Sequence, residues 1–340
     1  MTTVRPGENL LLISPAFHGY HNSIAAGFSQ LGYNVQTYCY DSFSTPGMKL
    51  RNKALLELPA QMGFSRQQAR TAWDTERAIK ALRAARPDRV LLIKADTLGE
   101  EFWTELLALN VPVMLWLYDD LSRHHHTMDF LRGIGPVISY AKQETQLLAD
   151  HGVDAHYLPN GYDPALVTPV KSVGQEVVFV GSRYPNRVDL MEYLYANGVP
   201  VRAYGRQWSH HPVDRLRTWD WTRPQVPWHR DISLRQAYAV QAQAAAAINV
   251  HGLQAGLTMR TFEVPGNGGL QLVDREDVAE FYEPGAEVLT FSSREELAEL
   301  CQRLIADPRW GAQIRSAGQR RSLAEHTFAH RARTAQGWWS

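Results

Sequence analysis

Short apolar runs alternate with amphipathic segments along most of the chain. Residues 9–14 and 35–40 have the composition of buried strands, and the segment between them, with Asn22 or Ser23 as a cap and Gly32 at its end, predicts a helix. Such a strand–helix–strand unit opens a doubly wound sheet. The alternation continues through predicted strands at 89–94, 111–118, 136–140 and 155–158 and predicted helices at 65–85, 100–109 and 142–151. The first half is therefore predicted to be α/β with a parallel sheet.

A second alternating series follows a linker-like stretch at 165–175. It predicts strands at 176–181, 199–204, 246–250, 270–273 and 286–291, and helices at 188–197, 234–245, 276–282 and 293–306. Residues 207–228 interrupt the pattern with an aromatic and polar segment, and residues 310–336 predict one or two terminal helices. Two Rossmann-like halves of this kind would place a ligand cleft between them, at the carboxyl ends of the strands.

Composition narrows the class of protein. A chain of 340 residues is long enough for two domains. Lys plus Arg equals Asp plus Glu, 35 of each, so no basic bias favours a nucleic-acid partner. The two cysteines, Cys39 and Cys301, form no disulfide framework and favour a cytoplasmic location. No run approaches the ~20 apolar residues of a transmembrane segment.

Gly181, Ser182 and Arg183, with Arg187 close behind, follow the first strand of the second series. Strand ends are the ligand side of such a sheet. A glycine allows close approach, a serine offers a hydroxyl, and an arginine can bind a diphosphate through two donors. The alternative is an ordinary turn with a solvated arginine, and the agreement of position with residue type favours a binding role.

The segment that starts at Thr258 and continues through Arg260, Thr261 and Glu263 is predicted to begin a helix. Helix N-termini attract phosphate, and a carboxylate one turn further can accept hydrogen bonds from sugar hydroxyls. The alternative is a surface helix with an Arg–Glu pair. We expect Arg183 and Arg260 to meet at one sheet edge and to neutralise a diphosphate without a metal ion.

Asp119 and Asp120 follow a predicted strand of the first half, and His18, Gly19 and His21 lie in its first loop. An aspartate there suits a base or a contact to substrate hydroxyls, and a histidine suits base or phosphate contacts. The alternatives are a helix cap, a solvated acid and loop histidines without chemistry. The adjacent residues His124, His125 and His126 would point in different directions, which disfavours a metal site.

Gly205 follows a strand of the second series, and the aromatic segment after it ends near Trp228. Its rings and histidines suit stacking on a nucleobase or a sugar face. A long loop folded on its own side chains is an equally good explanation of the same composition.

The second half resembles a known family in the order and spacing of several motifs. These are Val178–Ser182 with Arg187, Tyr204–Trp208, Ala247–Val250, Arg260–Glu263, Gly268–Gly269, Phe281, Gly285–Glu287, Glu295–Leu297, Gly318, His326–Phe328 and Arg331. The family is the group 1 glycosyl transferases of GT-B fold, within which the chain is similar to the CgeB-like (spore maturation protein) branch. The first half matches more weakly, through 87–88, 119–120 and 158–163.

This resemblance implies a GT-B fold, with two Rossmann-like domains facing a central cleft and a C-terminal helix crossing back to the first domain. The expected domains are an acceptor domain at 1–165, a donor domain at 166–320 and a terminal helix at 321–340. The family pattern places Glu263 on the ribose and Arg260, Ser182 and Arg183 near the diphosphate. It departs at Ala255, where many relatives carry a glutamate close to the donor sugar.

The leading hypothesis is a hexosyltransferase-like enzyme that moves a sugar from a UDP-, dTDP- or GDP-sugar to a hydroxyl acceptor, with no metal or other cofactor. The expected donor contacts are Gly19, Gly181, Ser182, Arg183, Arg187, Gly205, Trp228, Thr258, Arg260, Thr261 and Glu263. Arg183, Arg260 and the backbone N–H groups near Thr261 would assist departure of the diphosphate, and a base would come from His18, His21, Asp119 or Asp120. The rival hypotheses are a sugar-nucleotide epimerase of the same architecture and a non-catalytic nucleotide-sugar-binding protein. The sequence leaves the oligomeric state open.

Overall fold

The computed structural model describes residues 7–41, 66–252 and 254–339. The chain forms two compact units, one of Met1–Pro159 with Phe328–Ser340 and one of Asn160–Thr327. The break at 159/160 lies before the expected boundary at 165/166, because residues just after it are bonded into the second unit. The Asn160 side chain donates to the Leu257 carbonyl at 3.0 Å, and the Tyr162 N–H donates to the His326 carbonyl at 3.1 Å.

The first unit contains a parallel sheet in the strand order β2-β1-β3-β4-β5-β6. Its strands are β1 (Asn9–Ser14), β2 (Asn34–Cys39), β3 (Arg89–Ile93), β4 (Val113–Trp116), β5 (Val137–Ser139) and β6 (Ala155–Tyr157). The predicted parallel sheet is confirmed. β4 is shorter than the expected 111–118, since Pro112 has no N–H to donate and Tyr118 takes a left-handed backbone with φ of 66°.

Helices flank this sheet at α1 (Tyr20–Ser29), α2 (Arg66–Ala85), α3 (Glu100–Ala108), α4 (Met128–Gly133) and α5 (Lys142–Asp150). The expected start of α2 at Ser65 lies outside the described residues. The predicted cap of α1 at Asn22 or Ser23 was wrong. Gly19, with φ of 88°, turns the chain from a 3-10 turn at Phe17–Gly19 into the helix, a conformation that suits glycine.

The second unit contains another parallel sheet, in the order β12-β11-β10-β7-β8-β9. Its strands are β7 (Val177–Val180), β8 (Val201–Tyr204), β9 (Trp228–His229), β10 (Ala246–Asn249), β11 (Gln271–Val273) and β12 (Leu289–Thr290). Counted within the unit, this is the 3-2-1-4-5-6 order of doubly wound nucleotide-binding sheets. The strand order reverses between β7 and β10.

The helices of this unit are α6 (Pro185–Ala196), α7 (Pro212–Thr218), α8 (Leu234–Gln243), α9 (Arg260–Gly266), α10 (Arg294–Ala306) and α11 (Pro308–Glu325). The segment at 207–228 is therefore not an irregular loop, because it contains α7 and leads into β9. The expected helix at 276–282 is a 3-10 helix at Glu276–Glu280, and the expected strand at 286–291 forms only β12. No described helix is long and apolar enough to cross a bilayer.

The final helix, α12 (Phe328–Gln336), belongs to the first unit, as expected for a helix that returns to the N-terminal domain. It begins at Phe328 rather than near residue 321, because α11 continues to Glu325. α12 packs closely on α1, where a Cβ on Gly27 would lie 2.7 Å from the Phe328 carbonyl oxygen. The absence of a side chain at Gly27 therefore sets the distance between the two helices.

We expect Gly27→Ala to destabilise the first unit by about 1–3 kcal/mol, because the added methyl group overlaps backbone that cannot move as a flexible side chain would. Alanine otherwise favours a helix by up to ~1 kcal/mol over glycine, so the sign of the change tests the contact. Denaturant unfolding would measure it. Gly133→Ala is the matched control, since no heavy atom lies within 4 Å of its added Cβ. A Gly27→Ala protein as stable as the wild type would contradict this packing.

Candidate functional site

The first candidate site lies in the second unit, where the strand order reverses. β7 ends at Val180 and continues into Gly181, and β10 ends at Asn249 and continues into Val250 and His251. Open α/β sheets bind ligands outside the carboxyl ends of the strands at such a reversal. Residues after these two strands therefore form the part of the unit best placed to hold a ligand.

Gly181 carries the Arg260 guanidinium directly against its backbone. A Cβ on Gly181 would lie 2.3 Å from Arg260 Nη2, and its φ of 149° is itself unfavourable for other residues. Gly205 is equally constrained, since its Cβ would lie 2.7 Å from the Gly181 carbonyl oxygen. The Trp208 indole donates to that same oxygen at 2.9 Å. These two glycines therefore let β7, β8 and an arginine from α9 come together at one point.

Arg187 joins the two strands that flank the reversal. Its Nε and Nη2 donate to the Val250 carbonyl at 3.0 and 2.7 Å, and its Nη1 donates to the Ser182 carbonyl at 3.0 Å. The residue is buried, and burial, followed by the nearby Arg260 charge, lowers the pKa of Arg187 to about 10. Arg187 holds the loop after β7 to the end of β10, and all three of its nitrogens bond to main-chain carbonyls.

Arg187 and Arg260 lie over the same aromatic ring. Their Cζ atoms are 5.3 and 5.7 Å from the Phe179 ring centroid, within the range of cation–π attraction. The Phe179 ring, which belongs to β7, thus supports two guanidinium groups at the end of that strand. Such paired positive charge suits a diphosphate.

Arg183 does not meet Arg260, so the expected pairing of these two arginines is wrong. The Arg183 side chain turns instead to the segment after α7, where it forms an ion pair with Asp220 and donates to the Thr222 carbonyl at 2.8 Å. A carboxylate 37 residues downstream, in a segment without a clear pattern, competes for this arginine. Arg187 occupies the position beside Arg260 that we expected for Arg183.

Thr258 and Thr261 support the start of α9 through the Asn249 side chain. Thr258 donates to Asn249 Oδ1 at 3.1 Å, and Asn249 Nδ2 donates to Thr261 Oγ1 at 3.1 Å. Thr261 is fully buried, and its N–H donates to the Thr258 carbonyl at 3.0 Å. The Thr261 N–H, one of the backbone groups expected to assist departure of the diphosphate, thus bonds within the protein, and the Thr261 hydroxyl oxygen accepts from Asn249.

The other predicted donor contacts differ in their burial and in their distance along the sheet from the strand-order reversal. Glu263 lies in the first turn of α9 and is 4% exposed, and Ser182 is exposed beside Gly181. Trp228 is half-buried in β9, and its ring stacks on His210 at 5.4 Å between centroids. Glu263 and Ser182 therefore belong to segments that reach the strand-order reversal, whereas Trp228 is on the edge strand.

A His–Asp pair that the sequence pattern did not indicate lies next to this site. His251 lies two residues after the end of β10 and Asp274 directly follows β11, and His251 Nδ1 donates to Asp274 Oδ1 at 2.8 Å. The Thr258 N–H donates to His251 Nε2 at 3.2 Å, which places the imidazole proton on Nδ1. Both residues stand at strand ends, and this position was the available clue. The pair fixes the loop that leads into α9.

Ala255, which replaces the expected glutamate, lies in that same loop. Arg275 Nη2 donates to the Ala255 carbonyl at 3.4 Å, and Arg275 Nη1 donates to the Gln254 carbonyl at 3.2 Å. The Arg275 guanidinium, just after the end of β11, therefore holds the backbone at Gln254 and Ala255.

The first unit has a cavity of about 490 Å³ at the carboxyl ends of β1, β3 and β4. Polar and aromatic side chains line it, among them Phe17, Tyr40, Asp41, Lys94, Asp96, Tyr118, Asp119 and His125. Lys94 and Tyr118 have φ of 61° and 66°, which are strained values for bulky residues and are frequent at functional sites. Lys94 and Asp96 were not among the predicted site residues, although they lie one and three residues after the end of β3.

The structure distinguishes the two adjacent aspartates. Asp119 lines the cavity with 30% of its side chain exposed, and its Oδ2 lies 3.8 Å from Lys94 Nζ. Asp120 is buried and accepts a hydrogen bond from the Tyr140 hydroxyl. Burial, followed by this bond, raises the pKa of Tyr140. Asp119 therefore has access to a ligand, and Asp120 is part of the packed interior.

The predicted histidines also separate. His18 is exposed in the 3-10 turn with φ of 46°, next to Gly19. Burial lowers the pKa of the half-buried His21. Neither histidine is among the residues that line the cavity. His18 is thus the more accessible of the two, and its backbone is strained.

The rings of His124 and His126 stack with their centroids 5.8 Å apart, so these two histidines do not point in different directions as expected. The His124 side chain is buried, which lowers its pKa to about 4. His125 lines the cavity, and His126 Nε2 lies 2.7 Å from the Lys94 carbonyl. Within residues 7–41, 66–252 and 254–339, no three His, Cys, Asp or Glu side chains form a group suited to a metal ion.

The family model described as glycosyl transferase-like matches residues 166–337, which is just over half of the chain. The protein therefore belongs to this family, and it is a glycosyltransferase of GT-B fold with two Rossmann-like domains. The matched region includes both strands of the reversal and the whole of α9.

Known proteins of similar sequence or fold agree with this family. Spore protein CgeB of Bacillus subtilis (strain 168) is 22% identical over 158 residues, which cover 42% of this chain and 49% of that relative. The chain thus matches about half the length of this curated relative. Sucrose-phosphate synthase from Thermosynechococcus elongatus has a TM-score of 0.64 at 13% identity, and Anabaena HepE in complex with UDP-glucose has 0.60 at 14%. Each structural match covers 97% of this chain and 98% of the other, and shows the same fold.

We expect Arg187→Gln to destabilise the second unit by about 3 kcal/mol, because it leaves the buried Val250 carbonyl and the partly buried Ser182 carbonyl without these donors. Denaturant unfolding followed by tryptophan fluorescence would measure the change. Arg206→Gln is the matched control, since its ion pair with Asp231 is about half exposed on both sides and such pairs contribute less than ~1 kcal/mol. Equal losses in the two variants would show that Arg187 does not hold the strands together.

Proposed function

We propose that the protein transfers a sugar from a nucleoside diphosphate sugar to a hydroxyl group of an acceptor. The observation that carries the proposal is the position of the Arg260 guanidinium, which lies against the Gly181 backbone and next to Arg187. This point is at the strand-order reversal of the second unit, the part of the chain that the family model matches. Two supported guanidinium groups at the carboxyl ends of β7 and β10 suit the two negatively charged groups of a diphosphate.

In this proposal the donor lies along the ends of β7 and β10. Arg260 contacts the diphosphate, with Ser182 beside it, and Glu263 accepts hydrogen bonds from the ribose hydroxyls. Arg187 contributes its charge at short range while it keeps the two strand ends together. HepE, which shares the fold, was crystallised with UDP-glucose, and this supports a uridine nucleotide as the first donor to test.

The leaving diphosphate gains charge as the glycosidic bond breaks, so cations fixed beforehand stabilise the transition state more than the ground state. We assign this role to Arg260, with Arg187 behind it. The pair would supply the positive charge that a divalent cation supplies in metal-dependent transfer.

We further propose that the cavity of the first unit receives the acceptor, with Asp119 as the base. Asp119 is the member of the predicted set that lines this cavity and remains partly exposed. A carboxylate within hydrogen-bond distance of the acceptor hydroxyl could remove its proton as the sugar transfers. Lys94 would position that carboxylate.

We expect Arg260→Gln to lower turnover of the sugar donor by about 100-fold or more while the protein stays folded. Other enzymes lose about this much when one hydrogen-bond donor that stabilises transition-state charge is removed. Chromatography of nucleotides released from UDP-, dTDP- and GDP-sugars would measure it, with Arg294→Gln on the surface of α10 as the control. Unchanged turnover would exclude the assigned role. Conversion of the donor to an epimer without an acceptor would indicate an epimerase instead, and binding without turnover across a panel of acceptors a non-catalytic protein.

We expect Asp119→Asn to impair catalysis and Asp120→Asn to impair stability. Asp119→Asn should lower transfer by about 10²–10⁴-fold, as for loss of a general base, with donor binding and melting temperature near wild type. Asp120→Asn should lower the melting temperature, because it weakens a buried bond to Tyr140. Calorimetry with UDP and a thermal melt separate the two effects. Full transfer by Asp119→Asn would exclude it as the base.

A further inference from the structure

An exposed apolar surface covers α7 and the segment after it. We call it the tryptophan surface and define it by Val213, Leu216, Trp219 and Trp221. Their exposed fractions are 43%, 54%, 78% and 61%. Val213 and Leu216 are three residues apart on α7, which puts them on one side of the helix, and Trp219 and Trp221 lie just after its end at Thr218. A single exposed apolar side chain needs no explanation, but four within nine residues, two of them tryptophans, mark a candidate interaction site.

The fold holds the tryptophan surface in place. Trp219 has φ of 48°, a strained value for a bulky residue. Asp220 beside it pairs with Arg183 and with Arg223, which is 3.2 Å away. Arg183 also holds the Thr222 carbonyl. Bonds at Asp220, between the two tryptophans, and at Thr222, directly after them, therefore fix the backbone that carries the rings.

The charge around this surface is positive. Asp214 on α7 pairs with Arg230 at 2.7 Å, and Asp220 is already paired with two arginines. Arg215 and Arg217 lie on the same helix as Leu216, and neither forms an ion pair with another described residue. The carboxylates are thus paired, while the exposed Arg217 and the partly buried Arg215 lie next to the apolar residues in the chain.

From this arrangement we propose that the tryptophan surface docks the protein on an anionic lipid bilayer, a property beyond the proposed transfer reaction. Tryptophan rings favour the boundary between headgroups and acyl chains, and arginines beside them attract anionic headgroups. A soluble glycan fits less well, because a sugar needs hydrogen-bond partners, and the Asp220 and Arg183 side chains already bond to each other.

This surface is connected to the candidate donor site through the chain itself. Arg183, which anchors the segment of Trp219 and Trp221, directly follows Gly181 and Ser182 in the loop after β7. Its own N–H donates to Gln207 Oε1 at 3.0 Å. A bilayer bound at the tryptophan surface would therefore contact a segment fixed to that loop.

Co-sedimentation with vesicles tests the proposal on the full chain. We expect binding to vesicles of phosphatidylcholine mixed with phosphatidylglycerol, weaker binding to phosphatidylcholine alone, and a decrease in binding as salt is added. The variant Trp219→Ala with Trp221→Ala should lose about tenfold or more in partition coefficient. Arg215→Gln with Arg217→Gln should lower binding to the anionic vesicles only.

The matched control is Tyr195→Ala with Leu323→Ala, which removes two exposed apolar side chains from α6 and α11. This protein should bind vesicles like the wild type, and thermal melts should show that every variant is folded. Absence of wild-type binding to either vesicle would overturn the proposal, as would binding that survives loss of both tryptophans. Tryptophan-dependent binding to heparin, as a soluble anionic glycan, without binding to vesicles would overturn it in favour of a glycan partner.

Discussion

The structure of the second unit depends on hydrogen bonds from one buried guanidinium to main-chain carbonyls on both sides of a strand-order reversal. A reversal leaves a gap outside the sheet, because the connections of the two neighbouring strands lead away in opposite directions. Arg187 spans this gap to Val250 and Ser182. The Arg187 side chain thus fixes the width of the gap that can admit a ligand. Because this side chain is charged, the same group gives both structural support and a positive potential.

The two candidate sites show different uses of polar groups. Around β10, the amides, hydroxyls and the His251–Asp274 pair bond mostly to one another and to the backbone, which fixes the start of α9. In the first unit, the strand ends have strained backbones, and charged side chains line an open volume. Preorganised support for one substrate and open space for another match what a transfer reaction between two molecules requires.

Much of the fold was predictable from the sequence, because buried parallel strands appear as continuous apolar runs such as residues 9–14 and 176–181. The position of the candidate site followed from strand ends. The partners of individual side chains did not, since they depend on contacts across long separations. Arg183 was misassigned because Asp220 lies in a segment without a regular pattern. Likewise, the sequence cannot distinguish Asp119 from Asp120, because only the three-dimensional packing of Tyr140 buries one of them.

The return of α12 to the first unit has a consequence for how the protein is made. Synthesis runs from the N-terminus, and domains usually fold as they emerge. Here the first unit lacks the helix that covers Gly27 until the entire second unit has been translated. The face of α1 that later contacts Phe328 is therefore uncovered in every nascent chain, and the second unit, which is continuous in sequence, can complete its fold before the first.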